Sequence, residues 1–103
     1  MIRHLVLFKL KPGVTRDDPR VKKWMEMSDE LPKHIPQIVE WESGWNVTDR
    51  PIAYDFGQSS SFNSRADLGL YVPHPAHQAM VAIAREVADW VLVDYEYQEG
   101  SAA

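Results

Sequence analysis

The chain has 103 residues, 45% hydrophobic and 25% charged, with a formal net charge of −4 and no cysteine. That length holds one domain, and the balance is that of a globular protein rather than a disordered one. Lack of cysteine excludes a disulfide framework, a thiolate zinc site and a thiol nucleophile, while the scattered Lys and Arg form no basic stripe for phosphate, so no nucleic-acid partner is expected.

The opening run Ile2-Arg3-His4-Leu5-Val6-Leu7-Phe8-Lys9-Leu10 is broken by Arg3 and Lys9, and no small-residue cleavage site follows it. No stretch approaches the ~20 apolar residues of a membrane helix, so a cytoplasmic protein without a membrane partner is expected. The same run alternates, with Ile2, His4, Val6, Phe8 and Leu10 on one face and Arg3, Leu5, Leu7 and Lys9 on the other. This is a strand covered on both sides. Asp17 or Asp18 before Pro19 marks a helix start, and Val21, Trp24, Met25, Ser28 and Leu31 give its apolar stripe until Pro32 and Pro36 close it. A second strand, about Ile38 to Val47, places Val39, Trp41, Ser43, Trp45 and Val47 together.

After the turn Asp49-Arg50-Pro51, a weaker third strand runs from about Ala53 to Phe62, its propensity lowered by Gly57 and Ser59-Ser60-Ser61. Ser64-Arg65-Ala66-Asp67 has capping-box spacing and starts a short helix through Tyr71. A longer helix from Pro75 to Ala88 carries His77, Met80, Val81, Ala84, Val87 and Ala88 along one side. The last strand, Trp90 to Tyr97, sets Trp90, Leu92, Asp94 and Glu96 against Val91, Val93, Tyr95 and Tyr97. The domain is taken as 1–97, with 98–103 as a loose tail.

The order strand, helix, strand, strand, helix, strand predicts an α+β, ferredoxin-like βαββαβ fold with a four-stranded antiparallel sheet and helices on one face. The other face would carry Leu5, Leu7 and an aromatic row from the second or last strand. That surface is too apolar for water, which predicts a homodimer with two sheets face to face.

Three segments in this order resemble the stress-responsive dimeric A/B-barrel (Dabb) family: the opening Ile2 to Lys11, Tyr71-Val72-Pro73-His74-Pro75-Ala76-His77, and Val93-Asp94-Tyr95-Glu96. The resemblance covers residues 2 to about 97 and implies a ferredoxin-like monomer pairing into a dimeric α/β barrel. One plant branch of the family is similar to a polyketide cyclase, which closes a linear poly-β-keto thioester by aldol condensation without a cofactor. By motif position, that branch's catalytic tyrosine and histidine correspond to Tyr71 and His77, and its first-strand histidine to His4. Its third-strand histidine falls near Phe56 here and is missing.

The residues themselves leave alternatives open. His77 shares a helix side with Met80, Val81 and Ala84, so it is either a half-buried general base or a structural imidazole bonded to a strand. Asp94 is either the carboxylate that orients His77 or an acceptor for strand-end N–H groups. His4 reads as a packed core histidine, and Tyr71 as either a donor to a substrate carbonyl or a packing anchor. His74 precedes the helix and is the weaker half of any metal pair with His77. Trp24, Met25, Met80, Trp90 and Phe56 are candidates to wall an apolar pocket, with Ala79, Ala82 and Ala84 leaving room.

The expectation is therefore a dimer that binds a small apolar or aromatic molecule between sheet and helices, with polyketide-cyclase-like, cofactor-free enolisation as the candidate reaction. The candidate site is His77, Tyr71, Asp94 and His4, with no cofactor and no metal. The rival readings are a non-catalytic, stress-associated dimeric binding protein and a monooxygenase of the dimeric-barrel type, which would need haem or a self-activating quinol.

Overall fold

The structure is a computed structural model and describes residues 1–98. Of the expected tail at 98–103, residues 99–103 lie outside the described residues. The elements run β1 (Ile2–Leu10), α1 (Pro19–His34), β2 (Ile38–Trp45), β3 (Phe56–Phe62), α2 (Arg65–Tyr71), α3 (Pro75–Val87) and β4 (Ala88–Glu96). The four strands form an antiparallel sheet of order β2-β3-β1-β4. The expected ferredoxin-like α+β architecture is present.

Strand β1 is paired on both edges, with His4 opposite Ser60 of β3 and opposite Asp94 of β4. Its even positions Ile2, His4, Val6 and Phe8 are buried beneath the helices, as the alternation requires. Asp55 fastens the end of β1: its carboxylate accepts from Leu10 N–H at 2.7 Å, and its own N–H donates to Phe8 O at 2.8 Å. This clamp delays the start of β3 to Phe56, later than the sequence suggests.

Helix α1 begins where Asp18 caps it, accepting from Arg20 N–H at 2.8 Å, with Pro19 in the first turn. Val21, Trp24, Ser28 and Leu31 are its buried stripe. It continues through Pro32 to His34 rather than stopping at the proline. Proline removes a single i→i−4 bond there, and the buried side chains of Leu31 and Ile35 hold the last turn against the core.

Strand β2 departs from the predicted parity. A register shift between Ile38 and Glu40 displaces Val39, so Ile38 and Trp41 share the helix-facing side and Val39 is exposed. Strand β3 lies in the sheet interior despite its serine run, and the register explains why. Ser60 sits directly between His4 and Trp41, where a small side chain leaves room for both rings.

Ser64 caps α2, its hydroxyl accepting from Asp67 N–H at 3.1 Å, and His74 caps α3, its Nδ1 accepting from Ala76 N–H at 3.1 Å. The capping duty of His74 turns it away from any pairing with His77. Met80, Ala84 and Val87 are the buried residues of α3, and β4 follows at once from Ala88.

Phe8 is the centre of an aromatic cluster, 4.7 Å from Trp24, 6.0 Å from Phe56 and 5.4 Å from Trp90 between ring centroids. Such pairs add about 0.5–1.5 kcal/mol each beyond the area they bury. Among the described residues, no helix lies over the opposite face of the sheet. It carries Leu5, Leu7, Val91, Val93 and Tyr95, with Leu7 41%, Val91 51% and Val93 50% exposed. The aromatic residue of this face therefore comes from β4, while Trp41 and Trp45 of β2 point to the helices and pack on the core.

Candidate active site

Between the sheet and helices α1 and α3 lies a cavity of about 220 Å³. An apolar cavity of ~150 Å³ is enough for benzene, so this one admits a small ring system. Trp24, Met80, Ala84 and Trp90 line it as the sequence suggests. Phe56 instead packs on Phe8, Trp24 and Trp45, Met25 packs on the core, and Ala79 and Ala82 are exposed on the outer side of α3. Val72, Gln78, Arg85 and Leu92 both line the cavity and are exposed, which puts its mouth between α3 and the β4 edge.

His4, Tyr71 and His77 all line this cavity. The expected pairing of Asp94 with His77 does not occur. Asp94 stands opposite His4 in the β1–β4 ladder, and its Oδ1 accepts from His4 Nδ1 at 2.5 Å. His77 reaches a different acceptor, donating from Nδ1 to Val72 O at 2.8 Å. Each ring thus carries its hydrogen on Nδ1 towards an oxygen and keeps Nε2 as the nitrogen free for a ligand. His4 is a packed residue, as anticipated, but it is also the imidazole held by the carboxylate.

Tyr71 is almost fully buried, with its ring 4.3 Å from that of His77 and 5.7 Å from that of His4. It joins the two imidazoles into one group. Burial, reinforced by the Asp94 carboxylate, pushes the phenol far above its ordinary pKa, so at neutral pH it keeps its O–H as a donor. Burial lowers the pKa of His77, against the Val72 carbonyl that favours its charged form, and the nearby His4 and His74 lower it further. A neutral imidazole beside a protonated phenol is a base next to a hydrogen-bond donor.

Trp41 of β2 and Gln58 of β3 are among the lining residues that the sequence analysis does not propose. Gln58 alternates with Phe56, Ser60 and Phe62 along β3, and a polar residue in that pattern is the available signal. Among the described residues, no three His, Asp or Glu side chains are grouped to hold a metal ion.

Residues 2–97 match the model of the Stress responsive A/B Barrel Domain, Dabb. The chain belongs to this family. The Dabb chain is also 53% identical over 97 residues to the uncharacterized protein SCO4036 of Streptomyces coelicolor, covering 94% of this chain and all of that one. Among solved structures, it is similar to a dimeric ferredoxin-like protein from Thermobifida fusca, with a TM-score of 0.81 and 28% identity over 93% of this chain and 90% of the other. The Dabb fold recurs in a hydroxynitrile lyase from Passiflora edulis, with a TM-score of 0.81 and 19% identity over 95% and 94% of the two chains. At that identity the likeness is one of fold.

Proposed function

We propose that this protein is a homodimer in which each subunit takes a small apolar or aromatic carbonyl compound into the cavity and moves a proton at the carbon beside the carbonyl, without a cofactor. The observation that carries this reading is the grouping of His4, Tyr71 and His77 around one cavity, with both imidazoles fixed through Nδ1. His77 Nε2 takes the proton from carbon, giving an enolate and an imidazolium. Tyr71 O–H donates to the developing enolate oxygen, and the imidazolium returns the proton to carbon or to a new electrophile. His4, held by Asp94, keeps a second fixed Nε2 acceptor in the same space for an enol hydroxyl. One such acid–base group supplies roughly 10²- to 10⁴-fold in rate. An intramolecular aldol closure of the polyketide-cyclase kind would add the substrate's own proximity to this.

Dimerisation is supported by the uncovered apolar face of Leu5, Leu7, Val91, Val93 and Tyr95, and by the dimeric description of the Thermobifida fusca relative. An apolar face of this kind is stable in water only when another surface covers it.

The test is hydrogen–deuterium exchange at the acidic carbons of 2-indanone in D2O, followed by proton NMR. The protein accelerates exchange over buffer, and His77→Ala abolishes the acceleration while the variant keeps its fold by circular dichroism. Equal exchange rates with wild type, His77→Ala and buffer contradict the reading.

A further inference from the structure

Three buried polar atoms have no hydrogen-bond partner among the described residues: Trp41 Nε1, Gln58 Nε2 and Ser60 Oγ. All three side chains belong to the helix-facing side of β2 and β3, and the ladder sets them side by side. Ser60 lies directly between Trp41 and His4, while Gln58 is two residues along β3, diagonal to Trp41 and within reach of it. Gln58 is 5% exposed and lines the cavity, as does Trp41. The Trp41 and Tyr71 ring centroids are 6.3 Å apart, so the group adjoins the imidazole–phenol cluster.

An isolated polar group in an apolar interior is costly, and buried donors in folded proteins are almost always paired. Val6, Phe8, Trp24 and Met80 cannot serve them. The indole N–H can only donate, and the amide NH2 also donates, so their missing partner is an oxygen acceptor. A neutral oxygen suits this pair, because Trp41 and Gln58 bring no charge to offset the desolvation of a buried carboxylate.

We propose that Trp41 and Gln58 form a subsite for a neutral carbonyl oxygen, so that the ligand is a ketone, ester or thioester rather than a hydrocarbon or an acid. This rests on the small-molecule reading above and assigns that ligand its anchoring group. A carbonyl held by Trp41 and Gln58 beside Tyr71 would have its adjacent carbon near the two imidazoles. The same donors would then take up the charge that grows on oxygen when the proton leaves.

The experiment compares 2-indanone with indane, the same bicycle without the oxygen, by calorimetric titration of wild type, Gln58→Leu and Trp41→Phe. A plain apolar cavity prefers indane, because the ketone gives up its hydrogen bonds to water on entry. Wild type is expected to bind 2-indanone roughly tenfold more tightly than indane, and each variant to lose or reverse that preference while retaining indane. Two variants in different strands guard against misfolding of either, checked by thermal melts. A ketone preference that survives in both folded variants overturns the subsite, as does a wild type that prefers indane. If neither compound binds wild type, the cavity reading fails, and the subsite with it. A ketone preference without catalysed exchange would leave the subsite standing and remove the proton-transfer reading alone.

Discussion

Asp94 and His4, 90 residues apart in the chain, face one another across the β1–β4 ladder with the carboxylate 2.5 Å from the imidazole Nδ1. The His4 side chain is 8% exposed and that of Asp94 38%, so the ring is inside and its partner reaches in from the cavity's edge. The bond fixes both the tautomer and the plane of the ring.

Asp94→Ala should therefore leave a buried imidazole N–H unpaired and cost about 1–3 kcal/mol of stability, read as a lower denaturation midpoint in urea. Asp94→Asn keeps the shape but lets the side-chain amide donate to Nδ1, which would shift the His4 hydrogen to Nε2. It is expected to fold nearly as well as wild type and to lose most of the 2-indanone exchange rate.

His77 gives the protein an acid-side pH dependence. Burial lowers its pKa below the ordinary 6.5, so the unfolded chain binds the proton first as pH falls. Its contribution to stability is whole above about pH 6.5 and is lost as pH drops through the lower, folded-state value. Urea midpoints between pH 7.5 and pH 5 should fall less steeply in His77→Gln than in wild type. A proton NMR titration should place the His77 ring below 6.5.

Trp24 is 1% exposed, packs on Phe8 and Phe56, and forms a wall of the cavity. Trp24→Ala is expected to cost about 3–5 kcal/mol, since the aromatic cluster cannot collapse into the space. Trp24→Phe should cost less and raise the size limit of ligands that enter, measurable by titrating a series of alkylated indanones.

The exposed aliphatic face gives a prediction about assembly. Val93→Glu puts a charge at the centre of that surface, beside Leu5 in the ladder. Sedimentation should show wild type as a dimer and Val93→Glu as a monomer with an unchanged circular dichroism spectrum.

Much of this was legible in the sequence because period-two alternation is a local property. It placed Ile2, His4, Val6 and Phe8 on one face of β1, and Trp90, Leu92 and Asp94 on one face of β4, as the sheet requires. Which residue stands opposite which is a long-range matter. Parity allowed Asp94 to face the helices, but only the register decides that it meets His4 rather than His77. The Val39 bulge escaped for a related reason: its cause lies in pairing with β3 rather than in the β2 sequence. Ser59 to Ser61 looked like a weak strand because propensity ignores neighbours, whereas Ser60 is small to make room for two rings. His74 was placed correctly before α3 from the proline that follows it.

The central claim is that two imidazoles lining one cavity, each tied through Nδ1, offer Nε2 to a ligand there. Long-range nitrogen–proton NMR of uniformly 15N-labelled protein near pH 7, with and without 2-indanone, tests it most directly. The account predicts Nδ1-protonated rings for both His4 and His77, and Nε2 resonances of both that shift when the ketone is added. A hydrogen on Nε2 of either ring, or Nε2 signals indifferent to the ketone, would contradict it.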